Sequence, residues 1–240
     1  MKNSLRQSMF VLMVILPLSA CSTKYSAEPI IATVVDAETS QPLEGVIVVA
    51  HWELEGGLEG GNNLGQMMVM EAVTDKEGVF RFPAWGPKEI PDNLESNARL
   101  KDLDPGLLFY KFGYKSSYLQ NSKSMKEKSG MGSEVRTSDW NGKTIKLEKF
   151  KGELREYSEH LHFFDLLYLR GIVNSPGAEC EWRKLPKTIL EMEQLSQHYH
   201  AANLNAGTFY DSLLSNDQYM ISKGCGSVKE FIRRSKNEPR

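Results

Sequence analysis

Four of the five histidines in this 240-residue chain lie in two close pairs, and imidazole is a common ligand of zinc and copper. Carboxylates lie near both pairs. The candidate ligands are His160, His162, His198, His200, Glu159, Asp165 and Glu191. Residues two apart on a helix point about 200° from each other, so neither pair can chelate a metal by itself. One histidine from each pair could still meet across an interface; the alternative is that all four are ordinary surface or packing residues.

The sequence motifs of common nucleophilic and metal-dependent enzymes are absent. The chain contains no Gly-x-Ser-x-Gly and no His-Glu-x-x-His. The glycine-rich stretch from Leu54 to Gly65 lacks the Gly-Lys-Ser/Thr step of a phosphate-binding loop, and we interpret it as a hairpin loop. We therefore expect a protein that is not an enzyme and binds no cofactor.

Trp85 and Trp140 are the aromatic residues best suited to face a ligand, because each lies among turn-forming residues. Flat aromatic rings stack on sugars, so an exposed pair would support binding of carbohydrate or peptidoglycan. The alternative is that both rings pack in a hydrophobic core or at its rim, as tryptophan commonly does.

The N-terminus carries the pattern of an export signal. Lys2 and Arg6 precede an apolar stretch from Met9 to Leu18. Those ten residues are too few for a transmembrane helix, which needs about 20. The segment ends in Leu18-Ser19-Ala20-Cys21, which resembles the lipobox of bacterial lipoproteins. A cleavable signal followed by a free cysteine is the alternative.

The lipobox resemblance implies how the protein is held in the cell. Residues 1–20 would be a signal peptide that is removed, and the Cys21 sulfur would receive a diacylglycerol. Two or more acyl chains, such as palmitate, anchor a protein stably in a bilayer. Because Ser22 is not Asp, the resemblance also implies the outer membrane, with the protein facing the periplasm. We expect residues 21–28 to be a short polar tether.

The two remaining cysteines, Cys180 and Cys225, are expected to form a disulfide, because exported proteins fold in an oxidising compartment. Closing a loop of about 46 residues would stabilise the fold by about 4 kcal/mol in the chain-entropy model. A metal site is the alternative, but neither cysteine belongs to a Cys-x-x-Cys motif.

The charge is nearly balanced, with 29 basic and 31 acidic residues and a net charge of −2. This balance gives no reason to expect nucleic acid as a partner. The basic stretch from Lys229 to Arg240 is interpreted as a solvated, frayed end. The length suits one large domain or two small ones.

Short β-branched runs separated by turn residues fill residues 29–150 and predict a β-sandwich. The predicted strands are Ile30 to Val35, Val46 to Leu54, Gln66 to Thr74, Val79 to Phe82, Leu107 to Phe112 and Lys143 to Leu147. Asp75-Lys76-Glu77-Gly78 predicts a hairpin turn. Two polar stretches, 83–105 and 116–142, are expected to be surface loops or small extra elements.

Three segments in this order resemble the carboxypeptidase regulatory-like domain: Ile31 to Val46, Thr74 to Phe80 and Phe112 to Lys115. The resemblance implies a transthyretin-like (prealbumin-like) sandwich over residues 29–150. It also implies an accessory module without catalytic residues. Ala32 and Ser40 depart from the family, which commonly has glycine at these two positions.

After Phe150 the apolar residues are spaced three and four apart, which predicts helices. The predicted helices are 152–171, 187–203 and 208–223. The expected fold is therefore α+β, with a sandwich followed by a helical region, residues 151–240, that packs on it. The expected function is a membrane-anchored interaction or scaffolding module that binds an envelope protein. A glycan-binding module and a metal-binding periplasmic protein are the alternatives.

Overall fold

The computed structural model describes residues 23–57, 61–95, 97–123, 126–128, 132–173, 180–204 and 206–237. The proposed signal peptide and Cys21 lie outside the described residues. Strands end at Leu147 and the first helix begins at Leu154, so the predicted α+β class is confirmed.

Twelve strands are present in the described part of the chain. They are β1 (Lys24–Ala27), β2 (Ile30–Asp36), β3 (Ile47–Gly56), β4 (Asn62–Val73), β5 (Val79–Phe82), β6 (Trp85–Glu89), β7 (Arg99–Leu100), β8 (Gly106–Tyr110), β9 (Ser117–Leu119), β10 (Lys126–Lys128), β11 (Ser133–Arg136) and β12 (Thr144–Leu147). All six predicted strands are confirmed. The polar stretches 83–105 and 116–142 were expected to be surface loops or small extra elements. They contain further short strands.

The strands form three sheets. Sheet C has the order β4-β3-β8-β9, with β7 also paired to β3; sheet B is β12-β2-β5, and sheet A is β10-β11-β1-β6. The β1/β6 pair of sheet A and the β2/β5 pair of sheet B follow one another along the chain, separated by residues 28–29 on one side and 83–84 on the other. We call these two pairs together the long ladder. Along this ladder, Ala27 pairs with Trp85 and Ile30 with Phe82. Lys24 therefore marks one end of the ladder, and Asp36 lies at the other.

Sheet C is buried on both faces, which explains why β3 is apolar at consecutive positions. Val48 and Trp52 point into a core shared with sheets A and B. Ile47 and Val49 point the opposite way, into a core shared with the helices. Because side chains alternate along a strand, a central strand between two cores has no polar face. The fold is thus built of strand, strand and helix layers.

The helical region contains six α-helices in its described residues. They are α1 (Leu154–Phe164), α2 (Arg170–Val173), α3 (Pro186–Ala201), α4 (Phe209–Ser215), α5 (Asp217–Ser222) and α6 (Val228–Ser235). A π-helix, Asp165–Leu169, joins α1 to α2, and a 3₁₀ helix spans Glu181–Lys184. The predicted helix 152–171 is therefore interrupted, and the predicted helix 208–223 is two helices that meet at Asn216.

Helix α6 corrects the prediction of a frayed tail after Lys229. Val228 and Ile232, four residues apart, are buried in the helical core. The Ser227 hydroxyl accepts a hydrogen bond from the Glu230 N–H, and the Asp217 carboxylate accepts one from the Val228 N–H at 2.6 Å. A capped start and one apolar stripe are enough to dock a basic helix onto a core.

Strand β1 corrects the prediction of a tether over residues 21–28. It pairs in parallel with β11 and antiparallel with β6. Tyr25 and Ala27 are buried in the core between the sheets. The tether prediction rested on the polar composition of this segment, whereas pairing on both sides makes it an inner strand of sheet A.

Glu71 of β4 joins sheet C to the start of α3. Its carboxylate accepts hydrogen bonds from the backbone N–H groups of Lys187 (2.8 Å) and Thr188 (2.7 Å) and from the Thr188 hydroxyl (2.6 Å). These are donors that the first turn of a helix leaves without partners. Burial raises the pKa of Glu71, and the hydrogen bonds oppose that rise. A carboxylate from the sheet thereby caps the longest described helix.

Candidate functional site

The Cys180–Cys225 disulfide is present, as predicted. It joins the residue before the 3₁₀ helix to the residue after the turn that ends α5, 45 positions later. Next to it, the Arg183 guanidinium donates a hydrogen bond to the Cys225 carbonyl. The Trp182 ring packs edge-on against Phe231 of α6, with 5.1 Å between centroids. The bridge thus closes the helical region around a buried tryptophan.

Three large apolar side chains lie exposed where α1 meets the π-helix. Phe163 is 63%, Leu166 51% and Leu167 50% exposed. Their spacing of three and four residues places them on one side of the helix. We call Phe163, Leu166 and Leu167 the apolar face. Clustered exposed apolar residues mark sites of interaction more often than scattered ones do.

The opposite side of the same segment is firmly held. Tyr168 stacks on Tyr118 of β9 with 4.3 Å between ring centroids, and Phe164 packs on Tyr168 at 5.2 Å. Asp165, the first residue of the π-helix, is buried, and its carboxylate accepts a hydrogen bond from the Phe209 N–H at 3.0 Å. The apolar face is therefore presented by a segment packed on both sheet C and α4.

The pKa of the Asp165 carboxyl lies well above the usual value for aspartate. Burial raises its pKa from 3.8 to about 7, although the hydrogen bond from Phe209 and the charge of Arg170 lower it. Between these two values the folded chain keeps the proton and the unfolded chain has lost it. Unfolding then releases a proton, so the contribution of Asp165 to stability falls as pH rises through this range.

We expect Asp165→Asn to remove this pH dependence. An amide can still accept the Phe209 hydrogen bond but cannot ionise. Relative to the variant, the wild type should lose stability as pH rises from about 4 to 7 and stay at a constant difference above that range. Urea unfolding midpoints measured at a series of pH values test this, and two parallel stability curves would contradict it.

The histidine pairs do not converge on one site. The His160 Nε2 atom accepts a hydrogen bond from the Ser116 N–H at 3.1 Å. Burial, followed by the charge of Lys115, lowers the pKa of His160. His198 packs its ring against Phe112, and His162 and His200 are exposed. Among the residues that the structure describes, no group of three His, Cys, Asp or Glu side chains could hold a metal ion.

The two candidate tryptophans are not an exposed pair. Trp85 is only 7% exposed, because it begins β6 and packs edge-on against Trp52 with 5.3 Å between centroids. This corrects the expectation that it faces a ligand from a loop. Trp140 is half-buried in a turn, and its indole N–H donates to the Gln120 carbonyl at 3.0 Å. The Pro and Gly residues around Trp85 predicted a loop, but pairing with β1 makes the segment a strand.

His51 of β3, which no sequence motif marks, is buried against side chains of β4 and β9. The two ring nitrogens of His51 lie 3.1 Å from Gln66 Oε1 and 3.3 Å from the Tyr118 hydroxyl. Burial lowers the pKa of His51 to about 4, so the ring is neutral at pH 7. A Cβ atom at Gly106 would collide with both His51 and Tyr118, so this close approach requires glycine. Through Tyr118, this group supports the stack beneath the apolar face.

A cavity of about 620 Å³ lies between the edge of sheet C and helices α3 and α6. Ile47, Val73 and Leu190 form part of its apolar wall. On its polar side, Lys236 Nζ pairs with the Glu193 carboxylate at 2.7 Å. The cavity therefore combines an apolar wall with one ion pair and further charged side chains.

Comparison with known proteins places the chain in no family. No family model matches it, and no curated protein matches it. One solved structure to which it shows some likeness is a 3-chlorocatechol 1,2-dioxygenase from Rhodococcus opacus 1CP. The sequences are 15% identical, the match covers 54% of this chain and 61% of the dioxygenase chain, and the TM-score is 0.29. A likeness this weak establishes neither a shared fold nor an activity. Within the described residues, no helix has the length and hydropathy needed to cross a bilayer.

Proposed function

We propose that the protein is a non-catalytic lipoprotein, anchored through Cys21 in the outer membrane and facing the periplasm, that binds another envelope protein through the apolar face. In this proposal the strand region is a transthyretin-like sandwich, as its resemblance to the carboxypeptidase regulatory-like domain implies. The sandwich acts as a scaffold, and the helical region packed on it presents the binding surface.

Two features support the proposed compartment. Leu18-Ser19-Ala20-Cys21 has the order of a lipobox, and a short apolar stretch precedes it. The Cys180–Cys225 disulfide suits an oxidising environment such as the periplasm. The two features are independent, because one lies in the export signal and the other in the folded domain.

The apolar face is the observation that carries the binding role. Full burial of a Phe or Leu side chain contributes about 1.5–3 kcal/mol, and half or more of each of these side chains is still exposed. Covering all three would therefore contribute about 2–5 kcal/mol, which suits the centre of an interface. An envelope protein with an apolar patch is the occupant to which this proposal commits.

Photo-crosslinking in intact cells tests the proposal. A benzoyl-phenylalanine at position 163 should give one discrete adduct with another protein, identified by mass spectrometry. The adduct should disappear in the Leu166→Asp/Leu167→Asp variant, which loses apolar contact area. It should also disappear with Cys21→Ser, which removes the proposed site of acylation.

The same photo-reactive residue at position 219 is the matched control, because Tyr219 is also aromatic and exposed but lies on α5. The proposal requires that the adduct forms with the photo-reactive residue at position 163 and not with the one at position 219. No adduct, equal labelling at positions 163 and 219, or an adduct with a second copy of this chain or with lipid would each refute the proposed binding role. Intact mass of the membrane-extracted protein tests the anchor separately, since an unacylated chain would refute it.

A further inference from the structure

The folded body begins almost at the proposed anchor. Lys24 is the first residue of β1, so only Ser22 and Thr23 separate the strand from Cys21. Lys24 is paired on both sides, with Ser133 of β11 and with Glu89 of β6. Its side chain also forms an ion pair with Glu89 at 3.4 Å. The linker between the proposed acylated residue and sheet A is therefore only two residues long.

The reach of this link can be bounded from covalent geometry. Three Cα–Cα steps span at most about 11 Å when fully extended. The headgroup region of one leaflet is about 5–8 Å thick, and the acyl chains must lie in the hydrocarbon beneath it. With acyl chains on Cys21, Lys24 would therefore lie within a few ångströms of the outer edge of the headgroups, and the strands paired with it would lie close by.

We propose that the end of the ladder where β1 begins, around Lys24, Lys88, Glu89 and Ser133, is a membrane-contact surface that rests on phospholipid headgroups. This inference rests on the proposed lipid anchor at Cys21. It adds the orientation of the domain, because β1 leads into β2 and β6 follows β5 with only two residues between the strands on each side.

The long ladder determines what lies far from the membrane. With the ladder standing on this end, the twelve residue steps from Lys24 to Asp36 would extend about 40 Å away from the membrane if the strands run straight, at 3.3 Å per residue. The turn after β2 lies at the far end, where the Asp36 carboxylate accepts hydrogen bonds from the Glu38 and Thr39 N–H groups at 2.9 Å. Gln41, exposed in this turn, is therefore a distal reporter, whereas Lys88, exposed on β6 opposite Tyr25, is a proximal one.

Fluorescence quenching in vesicles tests the orientation. The acylated full chain, as Lys88→Cys or Gln41→Cys, would carry a thiol-reactive fluorophore at the new cysteine. It would be reconstituted in phosphatidylethanolamine–phosphatidylglycerol vesicles that contain a lipid with a nitroxide on its headgroup. We expect quenching at position 88 to exceed quenching at position 41 several-fold, because only the proximal site is held within reach of the headgroups.

A variant with a twelve-residue Gly/Ser insertion between Ser22 and Thr23 is the matched control. Such a linker has an r.m.s. length of about 20 Å, so quenching at position 88 should fall towards that at position 41 while acylation is retained. If the intact mass shows the acyl chains but positions 88 and 41 are quenched equally, the orientation is wrong and the anchor stands. If the mass shows no acyl chains, the proposed anchor itself has failed.

Discussion

The Cys180→Ala/Cys225→Ala double variant is expected to have a free energy of unfolding about 4 kcal/mol lower than that of the wild type. The bridge spans 45 positions, and the loop it closes contains α3, α4 and α5. Without the bridge, the unfolded chain gains the conformational freedom of that whole loop. Removing the sulfurs also withdraws packing, because Cys225 is buried in the helical core.

Urea unfolding of chains that all carry Cys21→Ser measures the effect without an acyl anchor. The oxidised parent should unfold at a clearly higher urea concentration than the double variant, and reductant should lower the midpoint of the parent alone. Equal midpoints for the oxidised parent and the double variant would show that the bridge contributes nothing to stability. A loss of the expected size would mean that the bridge supplies a large part of the stability, which an oxidising compartment such as the proposed periplasm preserves.

Arg136→Met should cost about 3–5 kcal/mol, the typical loss when one partner of a buried ion pair is removed. Arg136 of β11 is only 1% exposed. Its guanidinium lies 2.7 Å from the Glu134 carboxylate and donates to the Leu100 carbonyl at 3.0 Å. Methionine fills much of the same volume but leaves both acceptors without this donor, which separates the polar loss from a packing loss.

Two further variants make the Arg136 result specific. Arg136→Lys keeps the charge but lacks the planar fork, so its loss should be intermediate. Adding Glu134→Gln to Arg136→Met should recover part of the stability, because no unpaired charge is then left behind. A loss within about 1 kcal/mol for Arg136→Met, the range of an ordinary substitution, would contradict the role of this residue in joining sheet A to sheet C.

Features that depend on neighbours along the chain could be predicted well. The strand from Ile30 and the turn at Asp75 to Gly78 follow from β-branched runs and from turn residues. Helix α3 follows from its apolar spacing and from Pro186 at its start. The Cys180–Cys225 bridge followed from counting the thiols that an exported chain would leave unpaired.

Features that depend on distant partners could not be predicted in this way. Lys24 to Ala27 has little apolar character, and it becomes a strand because β11, over a hundred residues later, pairs with it. Trp85 is buried by the same ladder. In the run from Phe163 to Leu169, most side chains are apolar, so spacing alone could not decide which of them would be exposed. The one available signal was that this run holds more apolar residues than one face of a helix can bury, so some of them had to be exposed.

The α+β class, most of the regular elements and the cysteine pairing could be predicted without the structure, because they depend on local periodicity or on the number of thiols. Three features became visible only in the folded chain: β1 begins three residues after Cys21, the apolar face is exposed, and Trp85 is buried. Each of these depends on which surfaces meet, and contacts between residues far apart in sequence leave no periodic trace in the chain.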